Sequence, residues 1–332
     1  MPKAQIVSAP QWVKDGGLLN VNEMRPIYQN KQDRILHNAL LRKDEWEDVD
    51  AEVIRVAKQR LVGIQDLTSR GLVRQLGGLG TILSTYEQLS DMSPAEINMS
   101  GETAGEEDTQ GFNPISIPVP ITHKDFRINI RRLEASRRLG DDLEVTQVAT
   151  ATRLVSEALE GLLFNGTGAP TVDGNTIYGY TTLPARDTDT ATNYGGGDFG
   201  TEENPYDTIS GMITELNKKG YYGPFGVYVA TTQYGQMRGL LSGRDVNEIQ
   251  AIQENFDEIE FLRSSSKLAD GNVVVVQLTT DVVDIAIARD IVPVQWVTMG
   301  GMVSHFKVMG ALVPRLKYDD DGNAGIAHAT GA

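Results

Sequence analysis

Apolar and polar residues alternate along this chain with two distinct periods, and where the period changes the elements change. From Asp44, DEWEDVDAEVIRVAKQRLVG places Trp46, Val49, Val53, Ile54, Val56, Ala57 and Leu61 at helical spacing, with acids crowding the first turn. This predicts an amphipathic helix that ends near Gly63, in a helical region covering residues 44–74. A period of two follows in TILSTYEQL and again in NPISIPVPIT, around a polar stretch SGETAGEEDTQG. The pattern predicts a long two-stranded excursion over residues 75–125. Prolines at 114, 118 and 120 suit a paired ribbon better than a central strand.

The helical period returns in DDLEVTQVATATRLVSEALEGLLFNG. Asp141 or Asp142 can cap it, Val145, Val148, Ala151, Val155, Leu159 and Leu162 carry the apolar stripe, and Asn165-Gly166 stops it. A helix over about residues 142–165 would run roughly 30–35 Å, and the small Ala149, Ala151 and Ala158 would let neighbours come close. The preceding FRINIRRLEASRR reads as a strand leading into it, within a segment covering 126–202. Beyond the Gly/Asn/Asp-rich loop, NPYDTISGMITELNKKG and TTQYGQMRGLL read as helices, GVYVAT as a buried strand, and NVVVVQLT with VDIAIARD as a pair of strands. These predict a compact mixed lobe over 203–310, with residues 311–332 returning as a strand and tail to the first body. Residues 1–43 show no sustained period. They read as an extended arm whose Trp12, Leu18, Leu19 and Ile27 find no local core and are expected to bury against something else, Trp12 being a candidate contact between copies of the chain.

Composition narrows the functions available to such a chain. Its 332 residues, 40% hydrophobic, can fill a real core. With no cysteine, disulfides, thiolate metal sites and a cysteine nucleophile are excluded. No secretory signal or membrane-length apolar run is visible. The net charge of −15 argues against an extended nucleic-acid-binding surface.

No chemistry-bearing motif emerges. His37, His123, His305 and His328 are scattered, the Gly-rich pieces at 77–80 and 195–197 lack the strand-to-helix context of a phosphate loop, and the Asp319–Asp321 run lacks the distal Glu of a calcium loop. No catalytic, cofactor-binding or metal-binding residue is expected. One charge pattern does stand out: residues 75–123 contain no Lys or Arg but seven acids, among them Glu102, Glu106, Glu107 and Asp108. Directly after them come Arg127, Arg131, Arg132, Arg137 and Arg138. A long excursion reaches away from its own root, so these opposite charges are candidates to meet between copies of the chain.

In this order the elements resemble those of tailed-bacteriophage major capsid proteins with the HK97-like fold, and of the related encapsulins. Two stretches carry the resemblance: Trp46 to Leu79, and Phe126 to Gly166 with its LEGLLFNG ending. The resemblance implies an α+β fold with an N-terminal arm, an extended hairpin called the E-loop, a P-domain holding a long spine helix, and a compact A-domain. It implies no enzyme and no cofactor, but a subunit that joins copies of itself as pentamers and hexamers in an icosahedral shell.

The roughly 45 residues ahead of Trp46 favour a phage capsid around double-stranded DNA, contacted weakly and without specificity. Such a protein would reside in the virion, and in the host cytoplasm during assembly. Separate scaffolding, portal and decoration proteins are expected partners, and no membrane is. With no lysine in 75–123, the lysine–asparagine crosslink of some phage relatives is not expected. The alternatives are an encapsulin shell that docks a cargo enzyme through a short peptide, and an enzyme or ligand binder built on residues 203–310.

Overall fold

The computed structural model describes residues 41, 43–90, 92, 97, 99, 107, 109–139, 143–172, 175–239, 241 and 246–332. Helix α1 (Lys43–Arg60) buries Val49, Val53 and Val56, as its spacing predicts. It does not simply end near Gly63. After Leu61 the chain starts a second helix, α2 (Val62–Ser69), because a carboxylate from elsewhere in the fold meets its first free N–H groups. Short strand β1 (Val73–Gln75) follows.

Strands β2 (Leu83–Leu89) and β3 (Phe112–Pro118) form an antiparallel ribbon, in register from Leu83↔Pro118 to Leu89↔Phe112. The root of the ribbon is tied to the body. Tyr86 donates its hydroxyl to the Leu316 carbonyl at 3.2 Å, and Gln88 Nε2 donates to the Asp319 carbonyl at 2.5 Å.

The stretch FRINIRRLEASRR is not one strand. Strand β4 (Thr122–Asn129) gives way to helix α3 (Ile130–Leu139). Asn129 Oδ1 accepts the Arg131 N–H at 3.0 Å, and Ile130, Leu133 and Ser136 are buried at a spacing of three, a helical pattern that the alternation of β4 masks.

Helix α4 (Leu143–Asn165) has 23 residues and is therefore about 34 Å long. It buries Val148, Ala151, Val155, Leu159, Leu163 and Phe164. Of the three small alanines only Ala151 is buried, so the close approach of neighbours runs along one side of the helix. Gly166 takes φ +64°, and a Cβ there would lie 2.4 Å from the Ile177 carbonyl, which makes it the stop. The loop beyond holds the short hairpin β5 (Thr167–Val172) and β6 (Asn175–Ile177).

Two larger sheets organise the rest. The first has the order β1–β11–β12–β4, built on the long hairpin of β11 (Val283–Thr298) and β12 (Val303–Leu316). Helix α4 packs on β12 and β4, and α1 packs on α4. The second has the order β7–β13–β10–β8–β9, from β7 (Asp187–Thr190), β8 (Phe225–Ala230), β9 (Ile259–Ser265), β10 (Val273–Gln277) and β13 (Ile326–Thr330). Helix α5 (Asn204–Lys218) packs against β13 and β10, α6 (Thr231–Gln236) against β8 and β9, and α7 (Glu248–Asn255) against β9.

Two expectations shift here. NVVVVQLT and VDIAIARD enter different sheets, since β10 is buried on both faces while β11 leaves the lobe to form its hairpin. Residues 326–330 insert between β7 and β10 in the five-stranded sheet rather than returning to the four-stranded one, because IAHAT is buried on both faces. The two layers are joined by an aromatic cluster of Phe164, Tyr180, Tyr228 and Phe261, with ring centroids 5.1–6.0 Å apart.

Candidate assembly surfaces

The basic cluster comes from the end of β4 and from α3. Arg127, Arg131, Arg132 and Arg138 all present exposed side chains. Arg131 and Arg138 are two turns apart and so share a side of the helix. Arg137 belongs to α3, but its side chain lies outside the described residues, as do Glu102, Glu106, Asp108 and Trp12. Glu107 is described and exposed. Among the described residues none of the four exposed arginines forms an ion pair.

The acidic ribbon is rooted by a buried ion pair. Arg315 is 1% exposed and grips Asp284 bidentately, with Nε to Oδ1 at 2.5 Å and Nη2 to Oδ2. Lys317 Nζ approaches Asp284 Oδ2 at 3.0 Å. The second Arg315 Nη reaches Ser84 Oγ and the Thr85 carbonyl, each at 3.5 Å. The ribbon is thus aimed by the body, while its flanks carry exposed Ile82 and Phe112, 65% and 63% accessible.

Sequence reasoning missed two apolar surfaces. At the turn of the β11–β12 hairpin, Met299 is 79% exposed and Met302 and Trp296 are partly so. Trp296 stacks on His305 at 5.3 Å, and His305 Nε2 is 2.8 Å from Thr298 Oγ1, which fixes the shape of the tip. The second is a groove of about 460 Å³ between α1–α2 and β11, lined by Val53, Ile54, Leu61, Ile287, Ile291 and Leu312. Lys58 and Asp290 also line it. The available signal was Ile54, an apolar residue next to Val53 that cannot share its inward face and stays 55% exposed.

Three of the four histidines lie among the described residues. His123 Nδ1 lies 3.1 Å from Asp125 Oδ1 in an exposed pair, and Arg186 Nε donates to His328 Nδ1 at 3.3 Å. Burial, and then the Arg186 guanidinium, push the pKa of His328 down to about 4. His37 lies outside the described residues. Among the described residues no group of three His, Asp or Glu could hold a metal ion, and no helix is long and apolar enough to cross a membrane.

These surfaces belong to a recurrent architecture. The virus-like particle from Pyrococcus furiosus superposes with a TM-score of 0.56 at 14% identity, covering 85% of this chain and 98% of that one. The capsid of Myoviridae phage XM1 superposes with a TM-score of 0.57 at 18% identity, covering 78% and 89%. At such identities the likeness establishes the fold, which is α+β and HK97-like.

Sequence relatives are more specific. The type 1 encapsulin shell protein EncA of Myxococcus xanthus is 28% identical over 284 residues, 84% of this chain and 91% of that protein. A diheme-cytochrome-encapsulin shell fusion protein of Kuenenia stuttgartiensis is 22% identical over 215 residues, 64% of this chain and 54% of that protein. Residues 34–294 match the family described as encapsulating protein for peroxidase, and with that span covering most of its length the chain belongs to this family of shell-forming, encapsulin-type proteins.

Proposed function

We propose that this chain is the subunit of an encapsulin-type compartment whose shell encloses a protein cargo, with a peroxidase as the cargo class that the family description suggests. The observation that carries this reading is the family match over residues 34–294. The relatives found by sequence are encapsulin shells, whereas the phage capsid shares only the fold. That balance favours a protein-filled shell over the DNA-filled phage head that the long N-terminal segment suggests. In this reading the chain performs no catalysis itself; its task is to join copies and to hold the cargo, which carries the chemistry.

The parts divide the work. Helix α4 is the spine of a P-domain, the five-stranded lobe is the A-domain packed around the local symmetry axes, and the β2–β3 ribbon is the E-loop, lying over the neighbouring copy. There its acids, Glu107 among them, face the neighbour's Arg127, Arg131, Arg132 and Arg138. Many modest contacts of this kind suffice, because a closed symmetric array multiplies them. The apolar groove on α1–α2 suits an extended apolar segment of the cargo.

Electron microscopy and absorbance of particles purified from cells co-expressing a peroxidase cargo test the proposal. Thin closed shells with a protein-like absorbance ratio and co-purifying peroxidase are expected, and Ile54→Glu should lower cargo content without lowering shell yield. Shells filled with double-stranded DNA would support the phage capsid instead. Monomers at high concentration would refute both.

A further inference from the structure

Helix α2 begins without a cap of its own. The residue before it, Leu61, has no side chain that can accept an N–H. The missing acceptor comes from α4: Gly63 N–H donates to Glu160 Oε1 at 2.6 Å, and Ile64 N–H donates to Glu160 Oε2 at 3.4 Å. Glu160 is only 3% exposed. Glycine at position 63 leaves room for this approach: a Cβ there would stand 2.8 Å from Leu163 Cδ2 and 3.2 Å from the carboxylate oxygen itself, so those side chains would have to shift. One buried carboxylate therefore clasps the N-terminal helices to the long helix.

The surrounding charges leave that carboxylate exceptional. On α2, Asp66 is also buried, but Arg263 of β9 meets it at 2.8 Å and the Tyr228 hydroxyl of β8 donates to it at 3.3 Å. Also near Asp66, Arg70 pairs with Glu260 of β9 at 2.7 Å. One turn back on α4, Glu157 faces Arg153 at 3.0 Å and Arg60 of α1 at 3.9 Å. Tyr180, after β6, is fully buried, and its hydroxyl has no partner among the described residues.

Among the described residues no cation forms an ion pair with Glu160; Lys267, after β9, acts on it only at a distance. Above it on the same helix side, Thr152 and Ser156 are fully buried, and their hydroxyls find no partner among the described residues. Helix α4 thus buries, on the side that carries Glu160, hydroxyls that water would satisfy.

We propose that Glu160 is a proton-operated clasp, closed when it carries a proton and loosened when it ionises, so that α1–α2 part from α4 as the medium turns from acidic to alkaline. Burial pushes the Glu160 pKa up to about 7, against the pull of the two N–H donors, with Asp66 adding to the rise and Lys267 opposing it. In an opened, solvated joint the group returns to the ordinary carboxylate range. The closed form therefore binds the proton more tightly. Its advantage is complete below the ordinary carboxylate pKa and is lost as pH rises through about 7. In a shell, the same loosening is repeated in every copy.

This inference takes its consequence for particles from the shell reading, but the clasp itself lies within one chain. Hydrogen exchange of the assembled full-length protein between about pH 5.5 and 8.5, corrected for the intrinsic rate, reads it out at the amides of 61–67 and 152–164. Opening should rise about tenfold or more across this range in the wild type and stay flat in Glu160→Gln, whose amide keeps an acceptor for Gly63 but cannot ionise.

An equal slope in Glu160→Gln would overturn the proposal. So would a flat wild type, or a slope abolished by Asp66→Asn instead. If Glu160→Gln does not accumulate, the infrared carbonyl stretch of a buried protonated carboxyl decides in wild-type protein: it should be present near pH 6 and gone near pH 9, and its absence at both overturns the clasp. Exchange that is flat in intact particles sinks the clasp alone, whereas a failure to form particles sinks the shell reading.

Discussion

The five-stranded lobe and the β2–β3 ribbon are built on opposite terms. In the lobe, β8 is buried along its whole length, as are Val273 to Val276 of β10, and Phe225, Ile209, Met212 and Leu216 close the core within one copy. The ribbon buries Ser84, Tyr86, Gln88 and Ile117 near its root and leaves Ile82 and Phe112 in solvent. A single chain completes the first region. The second has apolar surface that no described residue of the same chain covers, as expected of a part whose partner lies outside its own subunit.

Substitutions should therefore separate subunit stability from assembly. The largest loss is expected for Phe225→Ala, which empties a fully buried site and should cost about 3–5 kcal/mol, read by chemical unfolding of the subunit. Ala151→Pro in α4 should cost about 3 kcal/mol or more, because it removes a helix hydrogen bond beneath both regions. Circular dichroism and particle counts should then fall together; particles of normal yield would contradict the role given to α4.

On the ribbon the outcome should reverse. Changing Ile82 and Phe112 together to Ser should shift subunit stability by no more than about 0.5 kcal/mol while reducing assembly in size-exclusion chromatography. Equal losses of stability and assembly would erase the contrast. Arg131→Glu with Arg132→Glu should weaken assembly less than this and more visibly at low salt, since exposed charges are screened.

The smallest effect is a pH dependence inside the lobe. His328 is held neutral, so its contribution is present above the ordinary histidine pKa and is lost as pH falls toward about 4. The thermal midpoint of His328→Gln should decline less than that of the wild type over this range. This direction is opposite to that of Glu160, so acid tightens one joint while it strains the other.

Much of the framework was legible from periodicity. A stripe repeating every three to four residues foretold α1 and α4, and alternation foretold the ribbon, because local pattern and final environment agree there. Helix α3 was hidden because Phe126 and Ile128 continue a period of two up to the turn at Asn129, and the arginines after it carry no apolar period of their own. Strand β13 could not be assigned to its sheet, since pairing across the chain leaves no local mark. Of the candidate contact residues, Arg127, Arg131, Arg132, Arg138 and Glu107 are exposed, while the side chains of Arg137, the other three acids and Trp12 lie outside the described residues. Glu160 drew no notice as one more acid in a helix. Its visible sign was its place on the buried stripe, one and two turns after Ser156 and Thr152.

The order β7–β13–β10 has a consequence for truncation. Among the described residues β7 pairs with the sheet only through β13, with Ala327↔Asp187 and Thr330↔Thr190 in parallel register, and the turn beyond it is held by the Ala191 N–H on the Thr330 carbonyl. Cutting the chain before Ile326 removes the five residues of β13 and unseats the four of β7 as well, and it turns β10 from an interior strand into a raw edge. A tag or fusion placed by trimming these residues would convert a sealed lobe into one that pairs with whatever strand it meets.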